Sequence, residues 1–579
     1  MYNFIKQYKG RRDLIDNYGD NSLLLYALQL RYDIEDIVSV AAEALTDGSD
    51  DKKCDLIYID KDSGFAVIAQ AYMKQNPLGT DLAKVNKASD LNTAASWVFA
   101  REVEDVPERI RDAVQELQDS IRNGDINTVY FWYVHNMNEA NNPEVQEELN
   151  TVQVAAQKLV SAFVGDNSVK IVALEVGNNT IEKWYNNSNK RISIEEQLAV
   201  ENNGQALEII EENWKSCVTA VKGSWLRELY LRFEDDLFSG NPRNYLGAGK
   251  RKNKINLGIM KTVQQQPENF WAYNNGLTAL VNDYDLENGK ITVTGITIIN
   301  GAQSTGAIGA VENLKADFLV PIRFIVCNDP KIIEQIIANN NKQNEILPSD
   351  LRSNDKQQVR LRKEFKKYPQ LYYSGGRRDS TSIRNREVFD PYMVAQTLYA
   401  FHIDCVVAYN SRKDIWDNDK KYSNIFSDQL SVEHIIFVYS LGRAIDEYKI
   451  ELQNKKDIRT EADNGMLNYL SKRGSKMLLI YAVSMSMESI LGKKILDSWK
   501  LKFNDSSDFN KLVFYWKDIV GMVLPFHVSL ETALEGGLKS SIVAKQSSEQ
   551  IRATVTSVRA ALSSVLDSFA KKINTIMLK

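Results

Sequence analysis

The tightest constraint on this chain lies in its middle, where two β-branched apolar blocks, Leu277 to Val281 and Ile291 to Ile299, flank an Asn288-Gly289 pair. Asn-Gly accepts the positive φ angles of a two-residue turn, so the spacing predicts an antiparallel hairpin. Both ends of that unit are polar. Tyr273-Asn274-Asn275-Gly276 precedes it and Asn300-Gly301-Ala302-Gln303-Ser304-Thr305 follows it. A small sheet whose end carries side-chain amides and hydroxyls is expected.

A third amide cluster, Asn339-Asn340-Asn341-Lys342-Gln343-Asn344, runs into Pro348-Ser349-Asp350-Leu351-Arg352-Ser353-Asn354-Asp355. Carboxamides both donate and accept hydrogen bonds, so a dense group of them suits base edges, ribose hydroxyls or groups beside a phosphate. Turn formation and helix capping are the other uses of the same residues. On the first reading, Asn274, Asn275, Gly276, Asn300, Gly301, Gln303, Ser304, Thr305, Asn341, Gln343, Asn344, Asp350, Arg352, Asn354 and Asp355 are candidate binding residues.

A net charge of −5 over 579 residues excludes a protein that binds nucleic acid with its whole surface, so such contact requires a local basic groove. Two tracts qualify. Asn241 to Lys261 holds Arg243, Lys250, Arg251, Lys252, Lys254 and Lys261 with no Asp or Glu, and adds Asn256. Arg352 to Arg386 carries an excess of cations, Arg377 and Arg378 among them, with Tyr368, Tyr372 and Tyr373 interleaved. Arginine beside aromatic rings grips phosphates and stacks on bases. A helix from Asp355 to Tyr368 with a basic solvated face is the plainer alternative.

The phrases FWAYNNGLT, IINGAQSTGAI, NNNKQNEILPSDLRSND and DKKYSNIF, with LFSGNPRNYLG and KINLGIMKTVQQQPENF upstream, resemble the abortive-infection phage-resistance (AIPR) proteins of bacteria over roughly residues 225 to 430. That resemblance implies antiphage defence and leaves the reaction open, because the family is defined by a phenotype. The turn after Ile299 also resembles that of ParB-like nucleotide-binding domains, which would add a nucleotide as ligand. It is not a Walker A loop, since no Gly-Lys-Ser/Thr follows.

Ahead of this region, helical spacing from Leu23 to Leu45, strands at Cys54 to Asp60 and Phe65 to Lys74, helical patterns from Asp81 to Ala100 and Pro107 to Arg122, and a strand at Thr128 to Val134 follow in order. This order resembles the core of restriction-endonuclease-like nucleases of the PD-(D/E)xK type. The resemblance implies Asp55 and Gln70 as oxygen ligands of Mg²⁺ or another divalent cation, Lys74 as the ammonium that orients water, and Glu35 as a further carboxylate. Tyr72 departs from the pattern, because it stands where the family has lysine. A nuclease-dead binding or sensing protein is therefore the competing reading.

Four cysteines without a CxxC pair (Cys54, Cys217, Cys327, Cys405) and scattered histidines (His135, His402, His434, His527) suggest neither a zinc site nor a disulfide framework. No signal peptide and no apolar run long enough for a membrane are found, so a cytoplasmic protein with no membrane partner is expected. The resulting expectation is an α/β and α+β multidomain chain. It has a nuclease-like α/β domain at 1–222, a mixed α/β AIPR-type domain at 223–428 that binds DNA or RNA, and a helical domain at 429–579 through which copies assemble.

Overall fold

The computed structural model describes the chain apart from residues 1, 33, 49, 78–80, 140–142, 165–168, 190, 191, 193, 234–236, 239–249, 312, 342–351, 353, 354, 376–385, 456, 457 and 575–579. The side chains of 187–189, 250–257, 330, 331, 334, 338 and 341 are likewise outside the description. Two compact units result. The first takes Met1–Ile34, Lys52–Arg101 and Leu117–Ile346, and the second takes Glu35–Asp51, Glu102–Glu116 and Leu347–Lys579. The boundaries expected at 222 and 428 fall inside the first and second unit respectively.

The first unit holds two sheets. In the N-terminal one, β1 (Leu56–Asp60) pairs antiparallel with β2 (Phe65–Tyr72), and β3 (Thr128–His135) and β4 (Lys170–Val176) follow in parallel in the order β1-β2-β3-β4. All but the last two residues of β2 are buried, as expected of an inner strand covered on both faces. The helix expected over Leu23–Leu45 is in fact two, Ser22–Tyr32 and Ile37–Ala44. Asp36 causes the break, because its carboxylate accepts from Ser39 N at 3.1 Å and caps the second helix. Glu35 thus lies in a connector, and in the second unit.

The central sheet runs β5 (Ile194–Val200), β10 (Lys290–Asn300), β8 (Leu277–Leu280), β11 (Leu319–Cys327), β7 (Trp214–Lys222) and β6 (Asn202–Ile210), with β9 (Asp283–Glu287) on β10. Strands β5, β6 and β7 precede residue 223, so the central sheet recruits chain from ahead of the expected boundary. The Asn288-Gly289 turn forms, with φ of +50° and +77°, but the strand it joins to β10 is β9, while the Leu277–Leu280 strand expected there pairs with β10 further along, at Thr297–Asn300. One face is packed by the helices Gly223–Phe233, Lys250–Gln265 and Ala302–Gly309 around Phe270, Leu277, Ile298 and Phe324. On the other face, Leu280, Ile299 and Ile325 pack against Ile333, Ile336 and Ile337 of the Pro330–Asn341 helix.

The second unit is helical around a single large core that includes Trp416, Phe437 and Trp516. Its inner helix Val432–Asn454 carries buried charge: Arg443 meets Asp36 at 3.2 Å and Glu387 at 2.7 Å, and Lys476 meets Asp446 at 2.5 Å. Burial alone would raise the Asp36 carboxyl, but Arg443 and Lys476 outweigh it and hold the group below its ordinary value. Among the described residues, no helix is long and apolar enough to cross a membrane.

Two of the scattered histidines meet here. His402 and His434 place their Nε2 atoms 2.8 Å apart, His434 Nδ1 donates to Leu501 O at 2.6 Å, and Trp499 stacks on His402 at 3.6 Å. Burial pushes His402 down to about 2, with the adjoining His434 ring further disfavouring its protonation, and pushes His434 down to about 4. Both stay neutral in the fold while the unfolded chain protonates near 6.5, so stability is intact above that value and is lost as pH falls through it. Chemical denaturation at pH 7.5 and pH 5 should show the second unit weakened in acid, by about 2 kcal/mol from His434 alone. His402→Gln should flatten that slope.

Candidate functional site

The N-terminal sheet presents a buried polar row. Asp55 stands directly before β1, gives its backbone N–H to Ala69 O at 2.9 Å and accepts from Ala71 N on Oδ2 at 2.6 Å. The pairing of Leu56 with Ala69 places Asp55 beside Gln70 at the strand end, and Gln70 is level with Tyr133 on β3 and Glu175 on β4. The two expected oxygen ligands are therefore neighbours. Gln70 is 3% exposed and its Oε1 has no hydrogen-bond partner, and Tyr133 beside it is fully buried. Burial, reinforced by the Glu175 charge, pushes the Tyr133 hydroxyl above its ordinary value.

His135, one residue past the strand expected at Thr128 to Val134, is the last residue of β3 and fully buried. Its Nδ1 accepts from Met137 N at 3.3 Å, which leaves Nε2–H to donate to Glu175 Oε1 at 3.0 Å. Alternation along a strand that runs one residue further would have signalled its direction. The lysines are placed differently from expectation. β2 ends at Tyr72, so Lys74 does not share a strand face with Gln70, and its ammonium pairs with Asp81 at 2.7 Å. Lys84 lies over the Tyr72 ring, 4.6 Å from its centre. Glu35 belongs to the other unit.

At the central sheet, the first two amide runs come together. Strand β10 ends at Asn300, Gly301 turns the chain at φ +98°, and the helix Ala302–Gly309 begins, which is the expected strand-turn-helix order. Only glycine fits. A Cβ on Gly301 would stand 2.0 Å from Leu277 Cδ2, and one on Gly276 (φ +80°) 2.6 Å from Pro321 O. Thr305 is buried with its hydroxyl on Gly301 O at 3.0 Å, and Asn274 donates to Phe270 O at 3.0 Å, so these two are structural. Asn275 is exposed, and Gln303 and Ser304 are half-buried.

The third amide cluster joins through Asn340. Asn300 Nδ2 donates to Asn340 O at 3.1 Å, and Arg323 Nη2 donates to Asn340 Oδ1 at 2.8 Å and to Thr278 Oγ1 at 3.3 Å. Arg323 is absent from the residues expected for the site. Its signal was a lone cation in the apolar run Ile322–Cys327.

In the second basic tract, three arginines have acceptors in their own unit. Arg352, in the second unit, donates to Trp416 O at 2.5 Å, pairs with Asp419 at 2.7 Å and lies 4.1 Å over Tyr422, while Asp355 caps the Lys356–Phe365 helix. Arg360 and Arg362 donate to the carbonyls of Ser427, Leu430, Ser374 and Gly375. These three arginines tie their own unit together. Arg243, Gln343, Asn344, Asp350, Asn354, Arg377 and Arg378, and the side chains of Lys254, Asn256 and Asn341, lie outside the described residues.

An unpaired buried amide oxygen costs stability, so Gln70→Met, which keeps volume and removes the orphaned group, should leave the thermal midpoint unchanged or raise stability by about 1 kcal/mol. Differential scanning fluorimetry without added metal measures it. A clear drop would mean that Gln70 contributes to the fold itself.

Residues 238–524 match the family described as AIPR protein, which supports reading the chain as such a protein. Comparisons with curated proteins and with solved structures give no match.

Proposed function

We propose, from the match of residues 238–524 to the AIPR family, that this is a bacterial phage-defence protein that binds nucleic acid at the polar end of its central sheet and cleaves it at the Asp55–Gln70 edge of its N-terminal sheet. The observation that carries the binding half is the meeting of three amide runs, distant in sequence, at Asn300, Gly276–Gly301 and Asn340. Capping alone needs no such meeting, whereas donors and acceptors gathered at one sheet end suit base edges and sugar hydroxyls.

The cleavage half rests on Gln70 Oε1, a buried oxygen without a partner beside a carboxylate. Two such oxygens suit a hard cation such as Mg²⁺, and Asp55 and Gln70 would hold it. The cation would polarise a phosphate oxygen and lower the pKa of water for attack on the phosphodiester. Around that edge the chain itself excludes water with the buried Tyr133, Ala69 and His135. Self-association through the helices after Asp428 and action in the cytoplasm complete the proposal.

A second reading, binding without cleavage, is favoured by Tyr72 in the lysine position and by the engagement of Lys74 with Asp81. A cleavage assay on plasmid and on RNA with Mg²⁺ or EDTA separates the two. On the leading reading, wild type cuts only with metal, and Asp55→Ala falls to background while retaining its circular dichroism and its affinity for nucleic acid. Cleavage by Asp55→Ala at the wild-type rate would remove the site. Binding with no cleavage by any preparation would establish the second reading.

A further inference from the structure

One row of residues crosses five strands of the central sheet. Asn300 on β10 pairs with Thr278 on β8, Thr278 with Arg323 on β11, Arg323 with Val218 on β7, and Val218 with Leu207 on β6. Residues paired across neighbouring strands share a face, so the row lies on the side that carries the Pro330–Asn341 helix. That helix covers only half of it. Val218 has a strand on either side and is nevertheless 40% exposed, with Leu207 at 64% and Ile209 at 45%. The result is an open apolar floor ending at a wall whose last turn supplies Asn340.

Arg323 stands where floor meets wall. Both groups that orient its Nη2, Thr278 Oγ1 and Asn340 Oδ1, are neutral, and Asn340 is itself fixed by donating to Ile336 O at 2.8 Å. Two other cations of this sheet have a carboxylate partner, Lys222 with Glu201 at 3.2 Å and Lys215 with Asp283 at 2.7 Å. Among the described residues no carboxylate pairs with Arg323, and the residue is exposed. An arginine positioned by neutral acceptors keeps its full charge and most of its five N–H donors for an anion from outside.

We infer that this row seats a single-stranded nucleic acid, with Arg323 on a backbone phosphate, unstacked bases against Val218 and Leu207, and carboxamides of Asn300 and Asn340 at base edges. The inference rests on the nucleic-acid reading of the central sheet and adds strandedness and the phosphate ligand. A duplex keeps its base faces stacked and would offer this surface only phosphates, for which a single unneutralised arginine is a weak site. A single strand offers phosphate and apolar base faces together, matching a cation beside an aliphatic floor. An acidic, apolar peptide is the other class of ligand with that pairing, and it has no need of the amides.

Fluorescence anisotropy with the full chain tests this, using labelled oligothymidylate and oligouridylate, a mixed-sequence duplex of equal length, and a peptide alternating Glu and Leu. Both single strands should bind more tightly than the duplex, and a preference between them assigns DNA or RNA. Arg323→Gln should weaken single-strand binding about tenfold and reduce the slope of affinity against salt by roughly one. Leu207→Asp, on the exposed edge strand, should weaken it comparably, with circular dichroism unchanged for both variants. Unchanged affinity and salt slope in Arg323→Gln, while Asn300→Ala still weakens binding, would overturn the inference and leave the nucleic-acid reading standing. No binding of any nucleic acid by wild type would end both. Binding of the peptide in place of the oligonucleotides, lost in Arg323→Gln, would reassign the row to a protein partner.

Discussion

The central sheet depends on a close approach of backbone at two glycines. Gly276 and Gly301 both have positive φ and both lie against neighbours that leave no room for a Cβ, Pro321 O for one and Leu277 Cδ2 for the other. This lets β8 enter the sheet directly beside the exit of β10, with β11 alongside in parallel. Thr278, Asn300 and Arg323 fall into one row as a result, and the Pro330–Asn341 helix lays Asn340 across it. A side chain at either glycine would push the strand ends apart, and the polar groups would no longer share a surface.

Much of this was legible in residue patterns, because the relevant forces are local. Asn288-Gly289 announced its turn through the φ angles the pair tolerates, and Asn300-Gly301 announced a strand giving way to a helix. β9 was missed because only Tyr284 and Leu286 break its acidic run, and β6 because its apolar residues, Leu207, Ile209 and Ile210, face solvent where no burial pattern develops. The helix expected through Leu23–Leu45 failed at Asp36, one of three acidic residues in Asp33–Asp36, where nothing in the local sequence singles out the carboxylate that caps a new helix and pairs with Arg443.

Charge was the least legible quantity. The basic tract after Arg352 suggested a groove by count, yet Arg352, Arg360 and Arg362 donate to carbonyls and carboxylates of their own unit. Counting cations does not reveal which of them already have acceptors. Arg323 is the converse, a lone cation in an apolar strand whose partners among the described residues are a hydroxyl and an amide. The same holds for His135, whose partner Glu175 comes from the next strand of a parallel pair. His402 and His434 likewise meet only because two helices pack.

The path of the chain between its two compact units has its own consequence. Residues 35–51 and 102–116 leave the first unit to complete the second, which otherwise begins at Leu347. Asp36 supplies the counter-charge of Arg443, Ala42 O receives the Lys449 ammonium, and Glu116 faces Arg473. A fragment made from Leu347 onward would keep these three buried cations and lose the groups that compensate them. Dividing this protein for study at a single peptide bond is thus ill suited to its architecture, and the helical part should be produced only with its two N-terminal strips of chain present.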